Sequence, residues 1–399
     1  MLDVASGRST RTDVAVLDGA IVELGTGLDG DRVHDVSGLT LAPGIIDCHV
    51  HMLLSHMDLW QLASAPISLR ICEAVRNLSI TLDAGVTTVR DAAGIDAGVA
   101  QAVRSGLVRG PAVQISIGML CQTGGHADGW TLSGRDLPTL FPPLPGMPVT
   151  VVDGPEEMRR AVRSLVRAGA DVIKIATSGG VLSPRDNPKD RHFADDELEA
   201  LRAAAAAANV RVMAHAHSTD GVKSAVRAGV ASVEHGVWLD DEAIELMLAN
   251  GTYLVPTLGA PRIVLEEEGD ALPPETREQA REIVAAHRDS FRQAVEAGVK
   301  IAMGTDSGVI PHGRNLCELA LMEEAGLSAA ECWRASTASA ADLLGIGDQV
   351  GRLEVGMRAD VIGVAGDPLQ LGDLDERVAL VVRAGDVVKR PVELPVGAA

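Results

Sequence analysis

The spacing of apolar and polar positions along this 399-residue chain changes rhythm twice. Near the start, Asp13 to Gly19 and Ala20 to Leu24 alternate around an Asp-Gly turn, which predicts a β-hairpin. Val36 to Leu41 predicts another short strand, leading into Ala42-Pro43-Gly44. The far end mirrors this pattern: Ala359 to Val364 alternates, and so does Val378 to Val388 around a Gly-Asp turn. Two strand-rich ends predict one small β-sandwich built jointly from residues 1–42 and 346–399.

Residues 43–345 follow a different rhythm, in which short apolar runs end in Gly or polar turns and are followed by amphipathic stretches. The runs are Ile45 to His49, Thr87 to Asp91, Ala112 to Ser116, Val172 to Ala176, Val210 to His215, Ser232 to His235, Tyr253 to Thr257 and Lys300 to Asp306. Helices are predicted at Gly154 to Ala168, Asp195 to Ala208, Asp241 to Asn250 and Glu275 to Ala297. Strand–helix alternation implies a parallel sheet, and eight repeats close most economically into a barrel. The predicted fold is therefore α/β: a distorted TIM (β/α)8 barrel with a small β-sandwich formed from both chain ends.

Composition sharpens this picture. Hydrophobic residues make up 46% of the chain and aromatics only 2%, so Ala, Val, Leu and Gly must fill the interior. That suits helices packed on parallel strands. A formal net charge of -20 argues against DNA, RNA and anionic membranes as partners, because phosphate binding needs a basic footprint. The five cysteines are scattered with no CxxC pair, which argues against a disulfide framework and for a reducing cytoplasm. The N-terminal residues carry no apolar signal core, and no stretch is apolar enough to span a bilayer. A cytoplasmic homo-oligomer acting on a small-molecule substrate is expected.

Candidate chemistry gathers at the ends of the predicted strands. His49 and His51 are alternate residues, so they share one face. The fourth strand carries Lys174, the fifth His215, the sixth His235 and the eighth Asp306. Barrel enzymes build their active sites at the C-terminal strand ends, so these separate segments converge on one spot, as a metal site requires. Lysine occurs at only five positions, and Lys174 lies between Ile173 and Ile175 in a predicted buried strand. A buried unpaired ammonium is costly. Such a lysine can lose its proton, and the neutral amine can add carbon dioxide to form an anionic carbamate.

With these motifs the sequence resembles the amidohydrolase superfamily, in its imidazolonepropionase-like and Xaa-Pro-type dipeptidase-like branch. The matching segments are Ala42 to His51, Asp171 to Ile175, Ala214 to His217, Val233 to Gly236 and Gly304 to Ser307, with Thr123 to His126 and Gly351 to Val361 outside the site. The resemblance implies two divalent metal ions, most commonly zinc. His49, His51 and Asp306 would hold one, His215 and His235 the other, and an N-carboxylated Lys174 would bridge them with a hydroxide. That hydroxide would attack a C–N amide bond, with Asp306 as general base and acid. The implied substrate is a dipeptide or N-acyl amino acid. The alternative is a cyclic amide, imide or lactone. Mononuclear relatives place an acidic residue three positions after the strand-five histidine, where this chain has Ser218. Catalytically silent scaffold relatives lose ligands, whereas this chain keeps all six.

The family pattern selects His215 over His217 as ligand, although both lie on one strand face; His217 is then a substrate contact or a supporting group. His126, flanked by glycines, would contact the substrate and take part in catalysis. Arg90, Arg185, Arg191 and Arg314 are expected near the barrel mouth, with Arg185 and Arg314 the candidates for a substrate carboxylate. Arg90 is expected to pair locally with Asp91. His56, His192 and His312 are expected in solvated loops. Cys48 is expected to face away from the metals.

Overall fold

The structure is a computed structural model that describes residues 1–131, 133–134, 147–180, 186–268 and 274–390. Strands β1 (Leu2–Asp3) and β2 (Arg8–Ser9) pair antiparallel, as do β3 (Asp13–Leu17) and β4 (Ala20–Gly25). Asp18 and Gly19 join the second pair, both with positive φ (49° and 80°), the conformation that a tight hairpin turn demands. β5 (Leu39–Pro43) comes next. It pairs with a strand from the other end of the chain, β15 (Val361–Ala365), which in turn pairs with β16 (Val378–Arg383), and β16 pairs with β17 (Asp386–Lys389). Ile21, Leu41, Leu353, Ala359, Val361 and Leu380 from both ends form one apolar cluster here.

The central strands run in parallel. β6 (Ile45–Val50), β7 (Val86–Asp91) and β8 (Ala112–Ile115) form one ladder. β9 (Met119–Leu120), β10 (Val172–Ala176), β11 (Arg211–Ala216), β12 (Ser232–His235), β13 (Tyr253–Val255) and β14 (Lys300–Ile301) form the other, in chain order. β8 and β9 are two halves of one barrel strand, broken at Ile117, whose φ of 69° turns the backbone. Hydrogen bonds link the two ladders on both sides. Asp171 N–H donates to Ile115 O at 2.8 Å, Cys48 N–H to Met303 O at 2.9 Å and Asp306 N–H to His49 O at 2.8 Å. The result is the distorted (β/α)8 arrangement that the alternation predicts.

The last barrel strand differs from expectation. Lys300 to Asp306 reads as one continuous strand, but regular pairing stops at Ile301. Met303 N–H turns instead to Ala335 O at 2.9 Å, and Asp306 adopts a φ of 61°. Ile301 to Met303 are apolar and buried, yet the backbone beyond them bends to present Asp306 to the site.

The helices follow their sequence signals. Gly154–Arg167 opens with Pro155, carries Glu156 and Glu157 in its first turn and ends on Arg167, matching the helix dipole. It buries Met158, Ala161, Val162 and Leu165, one stripe at helical spacing; each large side chain contributes about 2 kcal/mol. In Asp241–Asn250 the cap Asp240 accepts from Ala243 N–H at 2.9 Å, and Gly251 ends the helix with φ 66°. Removing that cap would cost about 1 kcal/mol. Asp195–Ala207 and Pro274–Ala297 also lie where the pattern predicts. Among the described residues no helix is long and apolar enough to cross a membrane.

Candidate metal centre

His49 and His51 stand at the C-terminal end of β6, and both rings are held from behind. His49 Nδ1 lies 2.8 Å from Glu234 Oε2 on β12. Burial alone would raise the Glu234 carboxyl, but the Arg90 guanidinium and the bond from His49 outweigh it and hold it at about 2. The carboxylate therefore accepts the Nδ1 proton, and His49 Nε2 carries a lone pair. His51 Nδ1 donates to Ala93 O at 3.0 Å, which leaves its Nε2 in the same state when the ring is neutral. Asp306 Oδ1 lies 3.5 Å from His49 Nε2 and 3.2 Å from His51 Nε2.

Three electron pairs thus face one another in a buried space, an arrangement that needs positive charge between them. Burial lowers the His51 pKa, but the Asp306 carboxylate, Asp91 and the Ala93 carbonyl outweigh it and raise it. A divalent cation satisfies the same geometry with the ligand set that such ions prefer. The residues present fit a metal ion.

His215 on β11, His217 just past it and His235 at the end of β12 form a second cluster, whose ring nitrogens lie within 4.8 Å of one another. Burial, reinforced by neighbouring imidazoles, lowers all three pKa values well below the ordinary value. Neutral imidazole is the ligating form. His215 Nε2 donates to Gly179 O at 3.1 Å, so its Nδ1 holds the lone pair. His235 Nδ1 meets Thr257 Oγ1 at 2.7 Å. Behind it, His287 Nε2 donates to His235 O at 2.9 Å. The clusters adjoin: the His49 and His235 ring centroids are 5.1 Å apart. His235, Thr257 and Asp306 all have left-handed φ angles (71°, 55° and 61°), rare for residues other than glycine.

Lys174 on β10 lies between the clusters. Its Nζ is 3.5 Å from His49 Nε2, and its charge lowers the pKa of His215, His217 and His235 as well. It is buried, and among the described residues it has no carboxylate within ion-pair distance. Burial lowers its own pKa to about 8, despite the opposing pull of Glu234 and Asp306.

His126 follows β9 and stacks on His215, with centroids 4.1 Å apart. Glycine is required opposite: a Cβ on Gly180 would lie 2.0 Å from the His126 ring. Asp186 Oδ2 lies 3.7 Å from His126 Nδ1 and accepts from Gly180 N–H at 2.8 Å. Asp186 was not foreseen.

Several sequence expectations need correction. Arg90 is not at the mouth and does not pair with Asp91. It is buried inside the barrel, where Nε donates to Cys48 O at 2.6 Å and Nη2 to Glu234 Oε1 at 3.0 Å. Adjacent strand residues point to opposite faces, so Asp91 turns away and accepts from Met52 N–H at 2.8 Å. His192 is buried rather than solvated, and its N–H donates to Thr177 O at 2.9 Å. Arg191 pairs with Asp195 on the surface, and Arg314 is exposed. Arg185 lies outside the described residues. Cys48 does face away, among Ile46, Val255 and Ala302, and burial pushes its thiol far up. Glu234 is a further residue of the site that the sequence alone did not single out; an acid between Val233 and His235 in a predicted buried strand was its signal.

Residues 40–389 match the amidohydrolase family. Ochratoxinase from Aspergillus niger is 37% identical over 351 residues, covering 83% of this chain and 71% of its own. Among solved structures, a prolidase in complex with N-methylphosphonate-L-proline superposes with a TM-score of 0.89 at 34% identity, covering 98% of this chain and 97% of its own. A Xaa-Pro dipeptidase with methionine bound in its active site gives 0.83 at 35% identity, covering 95% of each chain. The strand-end histidines, the aspartate after β14 and these likenesses lead to one conclusion: this chain belongs to the amidohydrolase family.

Proposed function

We propose that this protein is a binuclear metal-dependent amidohydrolase that cleaves the amide bond of a dipeptide or N-acyl amino acid. The observation that carries the reading is the pair of adjoining donor clusters with Lys174 between them. His49, His51 and Asp306 would hold one cation, and His215 and His235 the other. Lys174, carboxylated on Nζ, would join them. Its burial and depressed pKa make the neutral amine accessible, which carbamate formation requires. When bound, the ions supply hydroxide near neutral pH and polarise the scissile carbonyl.

The chain's own residues do the rest. Glu234, Ala93 and Thr257 hold the imidazoles in register. Asp306 takes a proton on its carboxylate and returns it to the leaving nitrogen. His126, seated against Gly180, faces the arriving substrate. The peptide-like substrate is inferred from the likeness to a prolidase and a Xaa-Pro dipeptidase.

The test is metal content per chain, on protein expressed with bicarbonate and divalent metal, followed by a panel of dipeptides, N-acyl amino acids, cyclic amides and lactones. Two ions per chain, fewer in Lys174→Ala, and turnover of acyclic amides are expected. One ion, unaffected by the substitution, would remove the bridge; turnover of cyclic substrates alone would replace the substrate class.

A further inference from the structure

The two clusters are braced differently from behind. In the His215–His217–His235 group the visible partners are neutral: the Gly179 carbonyl and the Thr257 hydroxyl. In the other group His49 is backed by a carboxylate, Glu234, which is wholly buried. Glu234 is held in turn by three groups. Oε2 accepts from His49 Nδ1, while Oε1 accepts from Arg90 Nη2 at 3.0 Å and from the Ser232 hydroxyl. Arg90 also grips the carbonyl of Cys48, the residue just before His49, at 2.6 Å. A chain of contacts runs from β7 through β12 to β6 and ends on His49 Nε2. The fold places two opposite buried charges here, where apolar residues would fill the space at no desolvation cost.

An anion behind an imidazole fixes the tautomer and makes the opposite nitrogen a stronger donor. A carbonyl or hydroxyl does so less. We propose that Glu234 is a positioning residue that makes the His49–His51–Asp306 site the tighter of two metal sites, and that Arg90 acts through it by keeping the carboxylate in place. This rests on the reading of the two clusters as metal sites.

The experiment is a competitive-chelator titration of zinc into the full-length protein, paired with the absorption spectrum of the cobalt-loaded form. The wild type is expected to bind two ions with unequal affinity. Glu234→Gln keeps the shape and a hydrogen-bond acceptor but loses the charge. It should weaken the tighter ion roughly 10–100-fold, change one component of the cobalt spectrum and leave the other ion alone. Arg90→Lys should weaken the same ion by less. Thr257→Val should weaken only the other. Circular dichroism confirms folding, and Arg90→Lys carries the comparison if Glu234→Gln does not fold. Equal wild-type affinities, or Glu234→Gln weakening both ions or neither, would overturn the proposal. A wild type that binds no ion would instead remove the metal-centre reading beneath it.

Discussion

The ammonium of Lys174 lies 3.5 Å from Nε2 of His49, a nitrogen whose ring already donates its one N–H, from Nδ1, to Glu234. Among the described residues, an uncarboxylated Lys174 has that imidazole lone pair as its one hydrogen-bond partner, deep in a barrel. Lys174→Ala should therefore cost on the order of 100-fold or more in kcat while leaving the fold intact. Lys174→Arg should not restore activity, because guanidinium cannot form the carbamate. Steady-state kinetics beside a thermal melt will check this. Full activity in Lys174→Ala would remove the residue from the mechanism.

His215 and His217 present a clear contrast. His215 has committed Nε2 to the Gly179 carbonyl, which leaves Nδ1 with the lone pair, while among the described residues His217 Nδ1 is buried without a hydrogen-bond partner. His215→Asn is expected to lower bound metal. His217→Asn is expected to keep the metal and impair substrate use by roughly 10–100-fold. Metal analysis of both variants decides the matter, and the reverse pattern would make His217 the ligand.

Gly180→Ala would drive a methyl group into the His126 ring. The ring must move, and a displacement of that size at a reacting centre costs on the order of 100-fold. Metal content should be unchanged, because His126 is no ligand in this scheme. Loss of metal together with activity would show that His126 supports the cluster it stacks on.

Glu318 makes a prediction about pH. It is fully buried, and burial pushes its carboxyl up to about 8, although Leu258 and Gly259 N–H groups bond to it. Below pH 4.5, the ordinary value, folded and unfolded chains are both protonated. As pH rises from there to about 8, only the unfolded chain releases the proton, so stability falls through that window. A shift of that size corresponds to a loss on the order of 5 kcal/mol. Denaturant unfolding from pH 5 to 8 should show this slope, and Glu318→Gln should flatten it. An unchanged slope in the variant would assign the dependence to other groups.

Much of this was legible in the chain, for local reasons. Strands such as Val172–Ala176 and helices such as Asp241–Asn250 declare themselves by periodicity and caps. The His49–His51 pair declares itself because alternation is a backbone property. What was not legible is what connects distant segments. Arg90 meets Glu234 across 144 positions, and no local pattern encodes that partner. The reading that paired Arg90 with Asp91 used sequence proximity where the strand's own geometry forbids contact. Asp306 shows the opposite case: its chemistry was visible but its backbone was not, since a buried apolar run gave no sign of the bend.

The left-handed backbone at His235 and Asp306 sets durability against readiness. A residue other than glycine held there costs on the order of 1–3 kcal/mol, and the surrounding fold sustains it. Replacing Asp306 by glycine would relax the chain and remove a buried carboxylate at once. A library of variants sorted only for heat resistance would therefore drift toward barrels that survive longer and hydrolyse nothing. Any programme to toughen this protein must select for turnover in the same round.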